Sequence, residues 1–139
     1  MEVTSIKDGI IIDHVDAGTA LTVLRYLKVD PTTTKLALIM NASSHALGAK
    51  DIIKIEDVED LNLDALGLVA PHATINIVRG GGIVNKRQPG LPEHLVGVIS
   101  CRNPRCVTTA ERGLEQRFHL ANAQRAEYRC DYCDEEAKL

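Results

Sequence analysis

At 139 residues, with 45% hydrophobic and 25% charged residues, the chain is long enough for one ordinary domain or two small ones of the soluble globular class. A formal net charge of -3 excludes a surface that is one continuous nucleic-acid or membrane footprint. With no Trp, one Phe and three Tyr, the core has to be aliphatic, and two small aliphatic cores call for help from a metal or from other chains. No stretch reaches the roughly 20 apolar residues of a membrane span, and the first residues lack a signal peptide's cationic flank and apolar run. The expectation is a cytoplasmic protein whose thiols stay reduced.

In chain order, residues 3–6 and 10–13 read as two short strands joined by a turn at Lys7, Asp8 and Gly9. Asp16 is the expected N-cap of a helix with Ala20, Leu21, Leu24 and Leu27 on one face, ended by Pro31 and the threonines after it. Residues 35–40 and 51–55 read as strands separated by a polar loop containing Asn41, Ser43, Ser44 and Gly48. A second helix is expected over 62–69, with Leu63, Leu66 and Val69 on one side and Pro71 as its stop. Residues 74–78 and 83–86 then read as strands around a hairpin tip at Gly80, Gly81 and Gly82. This order predicts an α+β, ferredoxin-like antiparallel sheet with two helices on one face. Pro89, Gly90 and Pro92 mark a stiff linker over 89–94, dividing a domain at 1–88 from one at 95–139. There is no internal repeat.

All four cysteines lie beyond that linker, as Cys101-x4-Cys106 and, after 23 residues, Cys130-x2-Cys133. Each close pair suits a tight turn aiming two sulfurs at one centre, and two such turns complete a tetrahedral zinc site. Two disulfides are the alternative, disfavoured in a reducing compartment, and unrelated core thiols would not fall into two close pairs. Four thiolates leave no open position, so the expected zinc is structural, in a small all-β domain. Arg102, Arg105 and Arg129 flank the ligands and could offset their charge; His119 is a spare candidate ligand. From Cys101 onward the chain carries seven Lys or Arg against seven Asp or Glu. That balance lacks the positive field phosphate backbones require, so a protein partner is expected rather than nucleic acid.

Before the linker, Asp13, His14, Lys54, Asn76 and Lys86 combine cations, a carboxylate and a carboxamide that suit a nucleotide's phosphates and ribose. Strand lysines are ordinarily solvated edge residues, and spacing alone favours that plainer reading. Gly80-Gly81-Gly82 has no Lys-Ser or Lys-Thr after it and is not a phosphate loop. No aromatics lie on these strands to stack bases of RNA. An enzyme of its own is not indicated: the metal shell is closed, there is no Ser/His/Asp pattern, and no cysteine is spare.

Ile12-Asp13-His14, the run from Lys50 to Glu56, Ala70-Pro71-His72-Ala73-Thr74-Ile75-Asn76, Leu91-Pro92-Glu93 and the cysteine set stand in a specific order and spacing. In these residues, and over essentially its whole length, the chain resembles the regulatory chains of aspartate carbamoyltransferase. The resemblance implies a non-catalytic subunit in pyrimidine biosynthesis, with an N-terminal allosteric domain for nucleoside triphosphates. CTP and UTP would inhibit and ATP activate. A C-terminal zinc domain would dock on the catalytic chains. Regulatory chains would pair as homodimers and join catalytic trimers into a larger hetero-oligomer. Carried over by motif, Lys54 and Lys86 would contact ribose and phosphates, Asp13 the ribose hydroxyls, and His14 and Asn76 the phosphate region. Ile6 and Ile11 would line the base and sugar pocket. Two departures stand out: Val3-Thr4-Ser5-Ile6 lacks an acidic residue, and Arg79-Gly80-Gly81-Gly82 replaces a bulkier loop near the base.

Overall fold

The computed structural model describes residues 5–58 and 61–139. They form two compact units, one comprising the described residues up to Leu63 with Ala70–Pro89, the other Asp64–Val69 with Gly90–Leu139.

The first unit is a five-stranded antiparallel sheet. Its strands are β1 (Gly9–Asp16), β2 (Leu36–Ser44), β3 (Gly48–Glu56), β4 (Thr74–Arg79) and β5 (Gly82–Arg87), in the spatial order β2-β3-β1-β4-β5. The first four keep the ferredoxin-like order, and β5 extends the sheet as a hairpin. In the central strand, Ile10 lies opposite Ile55 and Ile77, and Ile12 opposite Ile53 and Ile75. Directly opposed residues share a face, so these isoleucines form one apolar layer. Helix α1 (Ala20–Leu27) supplies Ala20, Val23 and Leu27 to the core, all at most 3% exposed. Each fully buried Ile, Val or Leu contributes about 1.5–3 kcal/mol, which is how an aliphatic core suffices here.

Several sequence expectations are corrected. Instead of two strands joined at Lys7-Asp8-Gly9, one strand begins at Gly9; Ser5 and Ile6 lie in no strand, and positions 3–4 fall outside the described residues. The expected polar loop at Asn41–Ser44 is the second half of β2, bulged at Asn41, and the turn comes after it. Along α1 the buried stripe is Ala20, Val23 and Leu27, while Leu21 is 58% exposed, because the helix presents its Val23 side to the sheet. Asp16 does not cap α1 with its side chain: its backbone carbonyl accepts from Thr19, and the cap comes from β3. The hairpin turn is Gly80-Gly81 alone, with φ of 59° and 82°, and Gly82 already pairs with Arg79. Two successive positive φ values are why glycines stand there.

The second helix also differs. Only α2 (Leu66–Val69), a single turn, forms, and it belongs to the second unit. Ala65 and Leu66 are buried there, and Gly67 lies so close to the Gly90 carbonyl that a Cβ at residue 67 would collide with it. The rest of that unit is β6 (His94–Val96), α3 (Val107–Ala110), β7 (Arg117–Asn122) and β8 (Glu127–Cys130), with sheet order β6-β7-β8. Leu95, Phe118 and Tyr128 are each at most 1% exposed, and the Tyr128 hydroxyl donates to the Pro92 carbonyl at 2.6 Å. β6 therefore begins inside the expected linker, and the C-terminal unit is not wholly β.

Candidate functional site

Pairing across the first sheet sets Lys54 on β3, Ile11 on β1, Asn76 on β4 and Lys86 on β5 in one continuous row. Ile11 alternates with the core residues Ile10 and Ile12, so the row lies on the face away from α1. Sequence separation hides this arrangement, because the four residues come from four strands. Asn76 is 5% exposed, and its Oδ1 has no hydrogen-bond partner among the described residues. A buried acceptor left without a donor costs about 1–3 kcal/mol, and such atoms are commonly completed by a ligand or water.

Two residues along β1, the chain bulges between Ile12 and Val15. His14 takes a φ of 57°, its backbone N–H donates to Asp13 Oδ1 at 2.7 Å, and its ring Nδ1 lies 3.2 Å from Thr74 Oγ1. Lys50 Nζ is 3.0 Å from Asp13 Oδ1 and 3.2 Å from Oδ2, with both side chains mostly shielded. Burial raises the Asp13 pKa and is the largest single influence. The hydrogen bonds from Lys50 and the His14 N–H outweigh it, aided by the positive charge of Lys50, and hold the carboxyl below its ordinary 3.8. The bulge thus brings Asp13 and His14 beside each other, next to the row. Ile6 is not joined to them by any strand pairing; it precedes β1, where the Lys7 carbonyl accepts from Gly81.

Lys50 and Thr74 are partners that residue-type reasoning missed. A further one, Asp51, had a readable signal: it falls in phase with Ile53 and Ile55 on the apolar face of β3, where a carboxylate needs partners.

In the second unit, Cys101 and Cys106 lie on the loop around α3, Cys130 ends β8 and Cys133 follows in the next turn. Their sulfurs all lie within 4.8 Å of one another, with Cys101–Cys133 at 3.7 Å and Cys106–Cys130 at 3.8 Å. A tetrahedron with metal–sulfur bonds of about 2.3 Å has edges of about 3.8 Å, so this spacing fits a single ion. A disulfide needs about 2.05 Å, and all four thiols are free. Local bonds fix both turns: Cys106 N–H donates to the Asn103 carbonyl, and Asp134 N–H to the Cys130 carbonyl. Gln116 Oε1 accepts from the Cys101 N–H at 3.0 Å. As free thiols the four are not equivalent. Burial pushes Cys101 up to about 12, whereas the Thr108 hydroxyl, 3.0 Å from its sulfur, draws Cys106 down to about 7.

His119 is not part of this cluster; its Nδ1 pairs with Asp131 Oδ1 at 2.6 Å. Nor is Arg129 free to offset the thiolates, since it bonds Glu127 Oε2 and the Asp134 carbonyl.

Residues 1–90 match the family described as aspartate carbamoyltransferase regulatory chain, allosteric domain, and residues 93–138 the same chain's metal binding domain. An aspartate carbamoyltransferase regulatory chain of Bifidobacterium longum is 71% identical over all of both chains. Those of Clostridium acetobutylicum and Clostridium botulinum are 45% and 42% identical, each over 97% of this chain and 92% of the relative. The chain therefore belongs to the aspartate carbamoyltransferase regulatory chains, a family of regulatory rather than catalytic subunits.

Proposed function

We propose that the chain binds nucleoside triphosphates on the open face of its first sheet and passes their effect to the catalytic chain of aspartate carbamoyltransferase, in the cytoplasm. CTP and UTP act as inhibitors and ATP as an activator of pyrimidine biosynthesis. The observation that carries the reading is the row Lys54–Ile11–Asn76–Lys86, with a buried carboxamide oxygen in it that has no donor among the described residues. Two ammonium groups suit a polyanion, and Ile11 offers an apolar surface for base or sugar. Asp13 accepts from ribose hydroxyls, while His14 and Asn76 serve the phosphate region; Ile6 completes the apolar lining. A ligand with different affinity for two assembly states shifts their balance, typically by about 1–3 kcal/mol of coupling.

The four cysteines hold one Zn²⁺, whose part is to clamp the two thiol-bearing turns and keep the second unit rigid enough to dock on a catalytic chain. Soft thiolates and tetrahedral spacing favour zinc over magnesium or calcium. Regulatory chains pair through the allosteric domain, over 1–88, and link catalytic trimers through the zinc domain, over 95–139; neither nucleic acid nor membrane is involved. The test is calorimetric titration of CTP and ATP into the full chain and its Lys54→Ala and Lys86→Ala variants. Wild-type binding that weakens at least about tenfold in each variant, ~1.4 kcal/mol, is the expected result. Equal affinity in all three sinks the site.

A further inference from the structure

The Asp51 side chain is fully buried, yet it is placed in neither the nucleotide row nor the metal centre. Oδ2 accepts from the backbone N–H groups of Gly18 and Ala20, at 2.9 and 3.0 Å, and Oδ1 accepts from the Asn41 N–H at 2.8 Å. The carboxylate therefore caps α1 from another strand and grips β2 at the same time. Both strands flanking β3 bulge beside this residue. β1 shifts register between Ile12 and Val15, with Val15 opposite Asp51; β2 shifts between Ile39 and Ala42, with Ala42 opposite Lys50. Each bulge holds a non-glycine residue in the left-handed region, His14 at φ 57° and Asn41 at φ 62°. Such residues persist only where surrounding structure over-determines them.

We infer that Asp51 is a positioning residue for the phosphate end of the nucleotide site: by tying α1 and both bulges to one point of β3, it holds His14, Asp13 and Lys50 in register with one another. The inference rests on the nucleotide reading above. The chain of contacts is short. Asp51 follows Lys50, whose ammonium bonds Asp13; Val15, opposite Asp51, follows His14; and Gly18 and Ala20 anchor the segment after β1. Removing the anchor frees the bulge to relax toward regular pairing. A one-residue slip turns side chains to the opposite face, and would take His14 out of line with Lys50. Ile11, Lys54 and Asn76 lie in regular pairing on the other side of the shift and would keep their places.

The experiment uses the full chain as wild type, Asp51→Asn and Gly18→Ala, with CTP and CMP titrated calorimetrically into each. Asp51→Asn keeps the side-chain shape but replaces one acceptor by a donor facing the Asn41 N–H. Gly18→Ala keeps the carboxylate and strains one of its donors, since Gly18 has φ +87° with open space around it. The expected result is a loss of CTP affinity of about tenfold in Asp51→Asn, ~1.4 kcal/mol, with a smaller loss for CMP, which shares the ribose contact to Asp13 but offers His14 fewer phosphates. Gly18→Ala should show a smaller loss of the same kind. Equal weakening of CTP and CMP means a purely structural role and overturns the inference, as does an unchanged ratio. If Asp51→Asn does not fold, Gly18→Ala decides on the same criterion. Failure of the wild type to bind CTP instead removes the nucleotide reading itself.

Discussion

Replacing Asn76 by alanine separates the stability of the free chain from its capacity to bind. Truncating a well-packed buried Leu or Met to alanine ordinarily costs about 2–5 kcal/mol. Asn76 is only 5% exposed, but its Oδ1 is paired to nothing among the described residues. In the free chain that atom carries a desolvation penalty of about 1–3 kcal/mol, which the variant escapes. The relieved penalty offsets much of the packing loss, so Asn76→Ala should cost no more than about 1–2 kcal/mol. With nucleotide present the proposed site sets the sign, because the variant would lack the carboxamide oxygen that the ligand is proposed to complete. CTP should stabilise the wild type by an amount that grows with ligand concentration, and the variant far less. Hydrogen exchange at the Ile12 and Ile53 amides, both in central strands, reads the first unit alone. A loss of more than about 2 kcal/mol in the free variant would falsify the reasoning, because it would show a partner for the carboxamide oxygen without ligand.

Metal removal should act on one unit only. Chelation, or Cys106→Ser, is expected to abolish exchange protection at Leu95, Phe118 and Tyr128 while Ile12 and Ile53 keep theirs. Structural zinc sites contribute about 10–16 kcal/mol of apparent binding energy, and protection that survives demetallation would refute the clamp. In Gly67→Ala the new Cβ meets the Gly90 carbonyl. An overpacking cost of about 1–3 kcal/mol is expected in urea titrations of the metal-loaded chain, and wild-type stability would contradict the close approach. Acid titration tests the Asp13–Lys50 pair. Because the folded pKa of Asp13 is lowered, its contribution is complete above the unfolded value near 3.8 and is lost as pH falls through the folded one. The stability difference between wild type and Asp13→Asn should therefore be constant above about pH 5 and shrink below about pH 4. A difference that stays constant down to pH 2 would argue against the pair.

How much was readable in advance depended on the range of the interaction. The cysteine spacing is local: each tight turn is set by bonds within a few residues, and the pairing of β7 with β8 then positions the second turn. Most strands were equally local, and Ile10, Ile12, Ile53 and Ile55, which fall within the expected strands 10–13 and 51–55, are buried. Strand length and the cap of α1 were not. Asn41 reads as a loop residue because its polar neighbours suit a turn, yet its N–H is held by Asp51 and the strand continues past it. Asp16 reads as a cap because it precedes the helix, but the carboxylate that fills the role lies 31 residues beyond Ala20. The single turn of α2 was assigned to the first unit by proximity in sequence, whereas Gly67 and Gly90 bring it to the second.

The scarcity of rings also has a sharper meaning than a uniformly weak core. Phe118 and Tyr128, the two largest fully buried rings, both lie in the metal-bearing unit, on β7 and β8. Phe118 pairs directly with Cys130, so the ring core and the thiol cluster are successive layers on one short sheet. A metal held by these thiols would therefore add to a compact apolar centre rather than stand in for one. Among the described residues the first unit has no such thiol cluster. There Asp51, a fully buried carboxylate, accepts from three backbone N–H groups, and hydrogen bonds to a charged group contribute about 1.5–3 kcal/mol each. One unit thus gathers four free thiols at one point, and the other holds a buried carboxylate beside the bulge that carries Asp13 and His14. On the proposed nucleotide site, any deformation that binding imposed on that bulge would have to work against the three backbone hydrogen bonds of Asp51.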